Sequence, residues 1–305
     1  MKAFYSDHFV LPLPEGHRFP MQKYRMVREE VFARVPNICF DEAPWTSDGV
    51  LALAHHPAYI EKVSSGRLSP AEQKAIGFPW SLQMVERSRR STGATIQACR
   101  AALEEGVAAN LAGGTHHAYA DRGEGFCVFN DAAVAARLMQ AERRVKQVAI
   151  VDLDVHQGNG TASILARDDS VFTLSLHGEH NYPFDKESSD LDVALPDGTG
   201  DEAYLAALDE ALATLFTRFT PELIIYLAGA DPHEGDRLGR LKLTIEGLAA
   251  RDCMVLDHAR ERGIPVAIAM AGGYGKNIQD TVEVHVQTIG IASTYARARG
   301  AAAAA

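Results

Sequence analysis

The chain has few cysteines, four in 305 residues at positions 39, 99, 127 and 253, and none falls in a CxxC pair or a zinc-finger spacing. That argues against a disulfide scaffold and a thiolate metal site, and reads as reduced thiols of a cytoplasmic protein. No apolar run approaches the roughly 20 residues that cross a bilayer. The opening Met1-Lys-Ala-Phe-Tyr-Ser-Asp-His8 brings in charge too early for a secretory signal. Positive charge is also short: 30 Lys and Arg face 40 Asp and Glu, a net −10. A general nucleic-acid binder needs a basic face, so that class is excluded. Internal repeats and low-complexity linkers are absent too. One domain over residues 1–300 is expected, with the Ala301–Ala305 tail given no role. Nothing in the composition fixes an oligomeric state.

Short apolar runs alternate with longer amphipathic stretches. Strands are expected at 3–5, 107–111, 148–152, 171–176, 223–228 and 265–269. Helices are expected at 88–105, 131–142, 160–166, 201–219, 244–262 and 279–297. This pattern predicts an α/β domain, a mostly parallel sheet with helices on both faces. Ligands bind such sheets outside the carboxyl ends of the strands. Polar clusters follow the expected strands directly: Gly113-Gly-Thr-His-His117, Asp152 to Asn159, Ser175-Leu-His177, Gly229-Ala-Asp231 and Ala271-Gly-Gly-Tyr274.

The richest of these is Val151-Asp-Leu-Asp-Val-His-Gln-Gly-Asn-Gly160. Alternate residues of a strand point the same way, so Asp154 and His156 converge on one point, as two of the three protein ligands of a catalytic zinc. The same run also fits an ion-pair cluster or a magnesium site. Asp231 is the candidate third ligand, although Asp-Pro also opens turns. An Asp2His set suits zinc and tolerates iron(II) or cobalt. His116 and His117 in tandem suggest an acid–base pair, with Asp152 as acceptor for His116 and Asn159 for His117; either alone also fits a satisfied core histidine. A carboxylate partner raises basicity and an amide does not, so the two pKa values should differ. Tyr274 is the candidate donor to a developing oxyanion and Phe126 a candidate channel wall; both also read as packing aromatics.

Together His116-His117, Asp121-Arg-Gly-Glu-Gly-Phe-Cys127, Asp152 to Gly160 and Gly229-Ala-Asp231 make the chain resemble the zinc-dependent histone deacetylase family, on the arginase-like α/β fold. Glu234-Gly-Asp-Arg-Leu-Gly-Arg-Leu241, with Asn159 where many members carry Asp, is most similar to the class IV branch and its bacterial relatives. The resemblance implies zinc on Asp154, His156 and Asp231. His117 would be general base and acid, His116 its charged neighbour, and Tyr274 the group polarising the amide carbonyl. It also implies potassium on Asp152, Ser175 and backbone carbonyls of Asp154, His156 and Leu176. Gly125, Phe126, Leu195, Leu238 and Gly272 would contact substrate, and Asp236 would order the loop bearing Asp231. Arg18 is implied in an internal cavity for the released acid. Thr115, before the histidine pair, and the extra residue in Ala194-Leu-Pro-Asp-Gly-Thr-Gly200 depart from the pattern.

The implied activity is hydrolysis of an acylated amine, acyl-lysine first, with acetylpolyamines or other small amides as alternatives. A two-metal ureohydrolase on the kindred fold would need extra bridging carboxylates, where this chain offers His116, Asn159 and His233. A non-catalytic sensor would be expected to have lost Tyr274, His117 or a ligand.

Overall fold

Aliphatic and β-branched runs that end in glycine-bearing loops form strands here because such side chains fit a pleated surface covered on both sides. The computed structural model describes residues 1–296, so the expected helix end at Arg297 and the alanine tail lie outside the described residues. Along the chain come β1 (Lys2–Tyr5), α1 (Lys23–Arg34), β2 (Cys39–Glu42), α2 (Asp48–Leu51), α3 (Pro57–Ser65), α4 (Pro70–Ile76), α5 (Leu82–Glu105), β3 (Val107–Asn110) and α6 (Asp131–Ala141). The second half carries β4 (Val148–Asp152), α7 (Asn159–Leu165), β5 (Val171–Gly178), β6 (Leu191–Leu195), α8 (Asp201–Arg218), β7 (Leu223–Leu227), α9 (Ile245–Glu261), β8 (Val266–Ala269) and α10 (Ile278–Tyr295). All strand pairs are parallel, in the order β2-β1-β3-β8-β7-β4-β5-β6.

Alternation divides the strand residues between two cores. Val148, Ile150, Leu223, Ile225 and Ala267 pack under α5 and α6, whereas Ala149, Val151, Ile224, Tyr226 and Ile268 pack under α1, α8, α9 and α10. Burying each large aliphatic side chain contributes about 1.5–3 kcal/mol, and every residue of β3, β4, β5, β7 and β8 is buried.

All six expected strands are present. The two edge strands escaped the sequence because they have no apolar run: Asp41 and Glu42 of β2 and Asp192 of β6 face solvent. The first four helices were missed as well; α1 is dominated by charged residues, and α5 begins at Leu82 on a Ser81 cap that accepts from Met84 N. No helix among the described residues is long and apolar enough to cross a membrane. All four cysteines are unpaired.

Register sets the site. Asn110, Ala269, Leu227, Asp152 and Ser175 are lateral neighbours across β3, β8, β7, β4 and β5. Four loops therefore leave the sheet at one level, while β5 runs on to Gly178.

Gly93 lies inside α5, where a Cβ would overlap the Pro44 carbonyl oxygen. Glycine-to-alanine exchange in a helix ordinarily gains about 1 kcal/mol. Here the overlap is with backbone, and overpacking costs about 1–3 kcal/mol. Gly93→Ala is thus expected to lower the thermal unfolding midpoint; a raised midpoint would show that the Pro44 loop does not lie against the helix.

Candidate active site

The loop after β3 carries the histidine pair, and Asp131 at the start of α6 fixes it. Its carboxylate accepts from Gly114 N at 2.9 Å, Thr115 N at 2.8 Å and Thr95 Oγ1 at 2.5 Å. Asp131 was read from sequence only as a helix start; nothing local marks it as the clamp of a loop that precedes it.

After β4, Asp154 and His156 turn to the same point, and Asp231 reaches it from the β7 loop. One ligand-capable atom from each lies within 4.8 Å of the others, and all three residues are buried. His156 Nδ1 is 2.9 Å from Asp154 Oδ1 and 3.3 Å from Asp231 Oδ2. Gly272 N donates to Asp154 Oδ2 at 2.7 Å, and Val155 N to Asp231 Oδ1 at 2.9 Å. A Cβ on Gly272 would overlap Asp231 Oδ2, so only glycine fits there.

Asp231 Oδ2 is buried and, among the described residues, accepts no well-aligned hydrogen bond, with His156 Nδ1 3.3 Å away. An uncompensated buried carboxylate oxygen is costly, and the set of two carboxylates and one imidazole is a fitting donor set for zinc. Burial and the charge of Asp154 push the Asp231 carboxyl up to about 7. Burial opposes a charge on His156, but the adjacent carboxylates outweigh it and raise the imidazole to about 10. A cation bound here would compete with protons for the same atoms.

The tandem histidines diverge as their partners dictate. His116 Nδ1 is 2.6 Å from Asp152 Oδ2, and the charges of Asp152 and Asp154 overcome burial to lift it to about 9. His117 Nδ1 is 2.7 Å from Asn159 Oδ1; burial, then the neighbouring His116 and His156, drive it well below its ordinary value. Ser175 sits beside Asp152 in the ladder, its hydroxyl 3.0 Å from His177 Nδ1. The Leu176 side chain belongs to the opposite core.

Asp236 ties the Asp231 loop to the Tyr274 loop: its Oδ2 accepts from Tyr274 N at 2.6 Å and its Oδ1 from Leu238 N at 2.7 Å. Burial raises the Tyr274 phenol well above its ordinary value, so it stays protonated. The buried ammonium of Lys23, which the sequence did not single out, lies 5.2 Å from the Tyr274 ring centre and donates to Gly273 O at 3.2 Å.

A cavity of about 510 Å³ opens over these groups, walled by Phe19, Phe126, Tyr182 and Leu238, with His117 and Tyr274 at its base. Gly125 and Gly272 also line it. Phe126 adopts a left-handed conformation, φ 67°, while its N–H donates to Ile76 O at 2.7 Å. Two expectations need correction. Leu195 does not face the cavity; it is the buried end of β6, packed in the core beneath α8 and α9. Tyr182 lines the cavity instead, its ring 4.9 Å from the His117 ring and edge-on to it. The tyrosine lies in the loop before β6 that no sequence periodicity marked. Arg18 lies exposed where the cavity opens, not in an interior chamber.

Residues 17–289 match the histone deacetylase domain family. The chain belongs to the histone deacetylase family. A histone deacetylase-like amidohydrolase of Pseudomonas aeruginosa is 31% identical over 284 residues, covering 87% of this chain and 74% of that one. Histone deacetylase 2 of Arabidopsis thaliana is 41% identical over 202 residues, 64% of this chain and 52% of the plant protein. An uncharacterized protein of Picosynechococcus is 44% identical over 285 residues, 92% of this chain and 94% of its own. The fold matches the crystal structure of the HDA15 HD domain with a TM-score of 0.82 at 22% identity, covering 96% and 91% of the two chains. An HDAC homolog from Aquifex aeolicus matches with a TM-score of 0.80 at 23% identity, covering 96% and 84%. Family members are hydrolases of amide bonds; the family implies zinc, and the buried Asp154, His156 and Asp231 fit it.

Because the folded protein keeps a proton on Asp231 up to about pH 7 and on His156 up to about 10, both groups favour the metal-free fold at low pH. That contribution fades as pH rises past the unfolded values of about 3.9 and 6.5. Zinc competes with these protons, so its binding strengthens with pH. The gain in unfolding midpoint on adding zinc is expected to widen between about pH 5 and about pH 9. Asp231→Ala should abolish both the gain and stoichiometric zinc by metal analysis; retention of one zinc would remove Asp231 from the ligand set.

Proposed function

We propose that this chain is a zinc-dependent amidohydrolase that removes an acyl group from an acylated primary amine, with acyl-lysine as the leading substrate. The observation that carries the reading is that Asp154, His156, His117 and Tyr274 all line one apolar-walled cavity. Zinc, when bound, supplies a Lewis acid that polarises the amide carbonyl and acidifies water.

The protein's own groups divide the remaining work. With Nδ1 donating to Asn159, the neutral His117 presents Nε2 as the acceptor for a proton from water. The same nitrogen then returns that proton to the departing amine. His116 holds its proton against Asp152, and its fixed charge keeps His117 neutral near pH 7. The Tyr274 hydroxyl donates to the oxygen on which negative charge grows. Potassium would be held beneath the site: Asp152 adds a third buried carboxylate there, and among the described residues the only donor on its Oδ1 is Asp154 N, at 3.2 Å. Phe126 and Tyr182 flank an aliphatic stem and exclude water. A sensor reading has no missing group in its favour, and the described residues hold one cluster of metal-ligating side chains rather than a bridged pair.

The reading is tested with zinc-loaded protein on acetyl-lysine and longer acyl-lysine peptides, with a hydroxamate as inhibitor. Hydrolysis that the hydroxamate abolishes is expected, and bound zinc without any turnover would overturn it. Tyr274→Phe should keep zinc while kcat falls by about 10²–10³, as when one oxyanion donor is removed; unchanged kcat would end that assignment. Asn159→Asp places a carboxylate on His117 and raises its pKa. The acid limb of the pH–rate profile should therefore move to higher pH, and a limb that stays fixed would detach His117 from the proton transfer.

A further inference from the structure

The mouth of the cavity carries a charge pattern that the chemistry at its base does not need. Six lining residues are exposed: Arg18, Lys74, Ala75, His180, Phe184 and Arg240. Three of them are permanently cationic and none is acidic, in a chain whose net charge is −10. Among the described residues the only carboxylate lining the cavity is the buried Asp154. A rim sampled at random from this surface would carry more acid than base.

These cations come from separate segments: Arg18 precedes α1, Lys74 is on α4, and Arg240 follows the Asp231 loop. Among the described residues, the side chains of Arg18 and Lys74 form no ion pair, so their charge faces the opening uncompensated. Arg240 NH1 and His180 Nδ1 share one counter-charge, Asp197, at 3.0 Å and 3.3 Å. Glu124, next to Gly125 of the cavity wall, is engaged by Arg122 at 2.8 Å and by the Tyr182 hydroxyl at 2.9 Å. Arg237 adds another exposed cation next to Arg18, whose carbonyl accepts from its NH2 at 3.4 Å.

Resting on the function proposed above, we propose that the preferred substrate is anionic outside the tunnel. The acylated amine enters past Phe126 and Tyr182, and a carboxylate on the part left outside meets Arg18, Lys74 and Arg240. That carboxylate belongs either to acidic residues flanking an acyl-lysine in a peptide or to the α-carboxylate of a free acylated amino acid. Cationic amines such as acetylated polyamines are repelled at the same rim. Phe184, 82% exposed and edge-on to Tyr182, offers apolar contact to the stem of the flanking residue.

Matched acetyl-lysine peptides with Asp/Glu or Lys/Arg flanks test this, alongside free Nε-acetyl-lysine, its α-amide and an acetylated polyamine. The readout is the ratio of kcat/KM for acidic over basic flanks. Binding of the same peptide pair carrying a hydroxamate in place of the amide, read by fluorescence anisotropy, gives the ratio without turnover. With exposed pairs contributing modestly and several acting together, a ratio of about fivefold or more at low salt is expected, shrinking as salt is added. In the Arg18→Glu, Lys74→Glu double variant the ratio should fall toward one or invert, and because it is internal to each protein, general damage cancels. A higher rate on free Nε-acetyl-lysine than on its α-amide would name the α-carboxylate as the partner; a preference only among peptides would name the flank. Equal ratios in both proteins, or faster hydrolysis of the polyamine, would overturn the inference while leaving the amidohydrolase reading intact. Tighter binding of the acidic hydroxamate peptide with no turnover of any substrate would keep the rim assignment and sink the proposed function.

Discussion

Burying two carboxylates and an imidazole at the end of a parallel sheet costs several kcal/mol per uncompensated ion, and much of this molecule answers that cost. Backbone amides of Val155 and Gly272 point into the carboxylates. Behind them the fully buried guanidinium of Arg251 donates to the Gly229 carbonyl at 2.6 Å, and so fixes the loop that presents Asp231. Arg251 is itself balanced by Asp252, which also takes the hydroxyls of Tyr226 and Thr288, each at 2.5 Å. The charge is thereby distributed through β7, α9 and α10, and the site rests on the sheet's whole lower core rather than on its loops alone.

The same accounting separates two neighbouring histidines. Both are buried and adjacent in sequence, and their rings lie 4.1 Å apart. What divides them is a single atom on each partner: a carboxylate oxygen on Asp152 for one, an amide oxygen on Asn159 for the other. Each histidine then reinforces the difference, since a charged neighbour penalises a second charge nearby.

Legibility in the sequence followed burial. Strands buried on both faces are continuous apolar runs, and they were read correctly; β2 and β6, half solvent-facing, leave no such run. Site residues that follow those buried strands were legible because chain order along the sheet edge carries them: His116, Asp154, His156, Asp231 and Tyr274 all trail a strand end. Groups that act across the chain were not. Asp131 clamps a loop that precedes it, Lys23 reaches Gly273, and Arg251 supports Gly229 from a helix, and no spacing connects either end of those contacts. Leu195 was misplaced because the resemblance was carried onto a segment with an extra residue; alternation along β6 turns its side chain into the core, and the preceding loop supplies Tyr182 instead.

Gly272 donates to a ligand carboxylate, and Tyr274 stands two residues further along the same stretch, its own amide held by Asp236 from the loop of another ligand. The tyrosine is thus tied to the centre it serves as well as to Arg237, whose Nε donates to its carbonyl at 2.9 Å. Displacing the Asp231 loop would therefore carry the tyrosine with it through Asp236, so the buried carboxylates and the phenol are coupled by backbone hydrogen bonds and not only by the cavity they share.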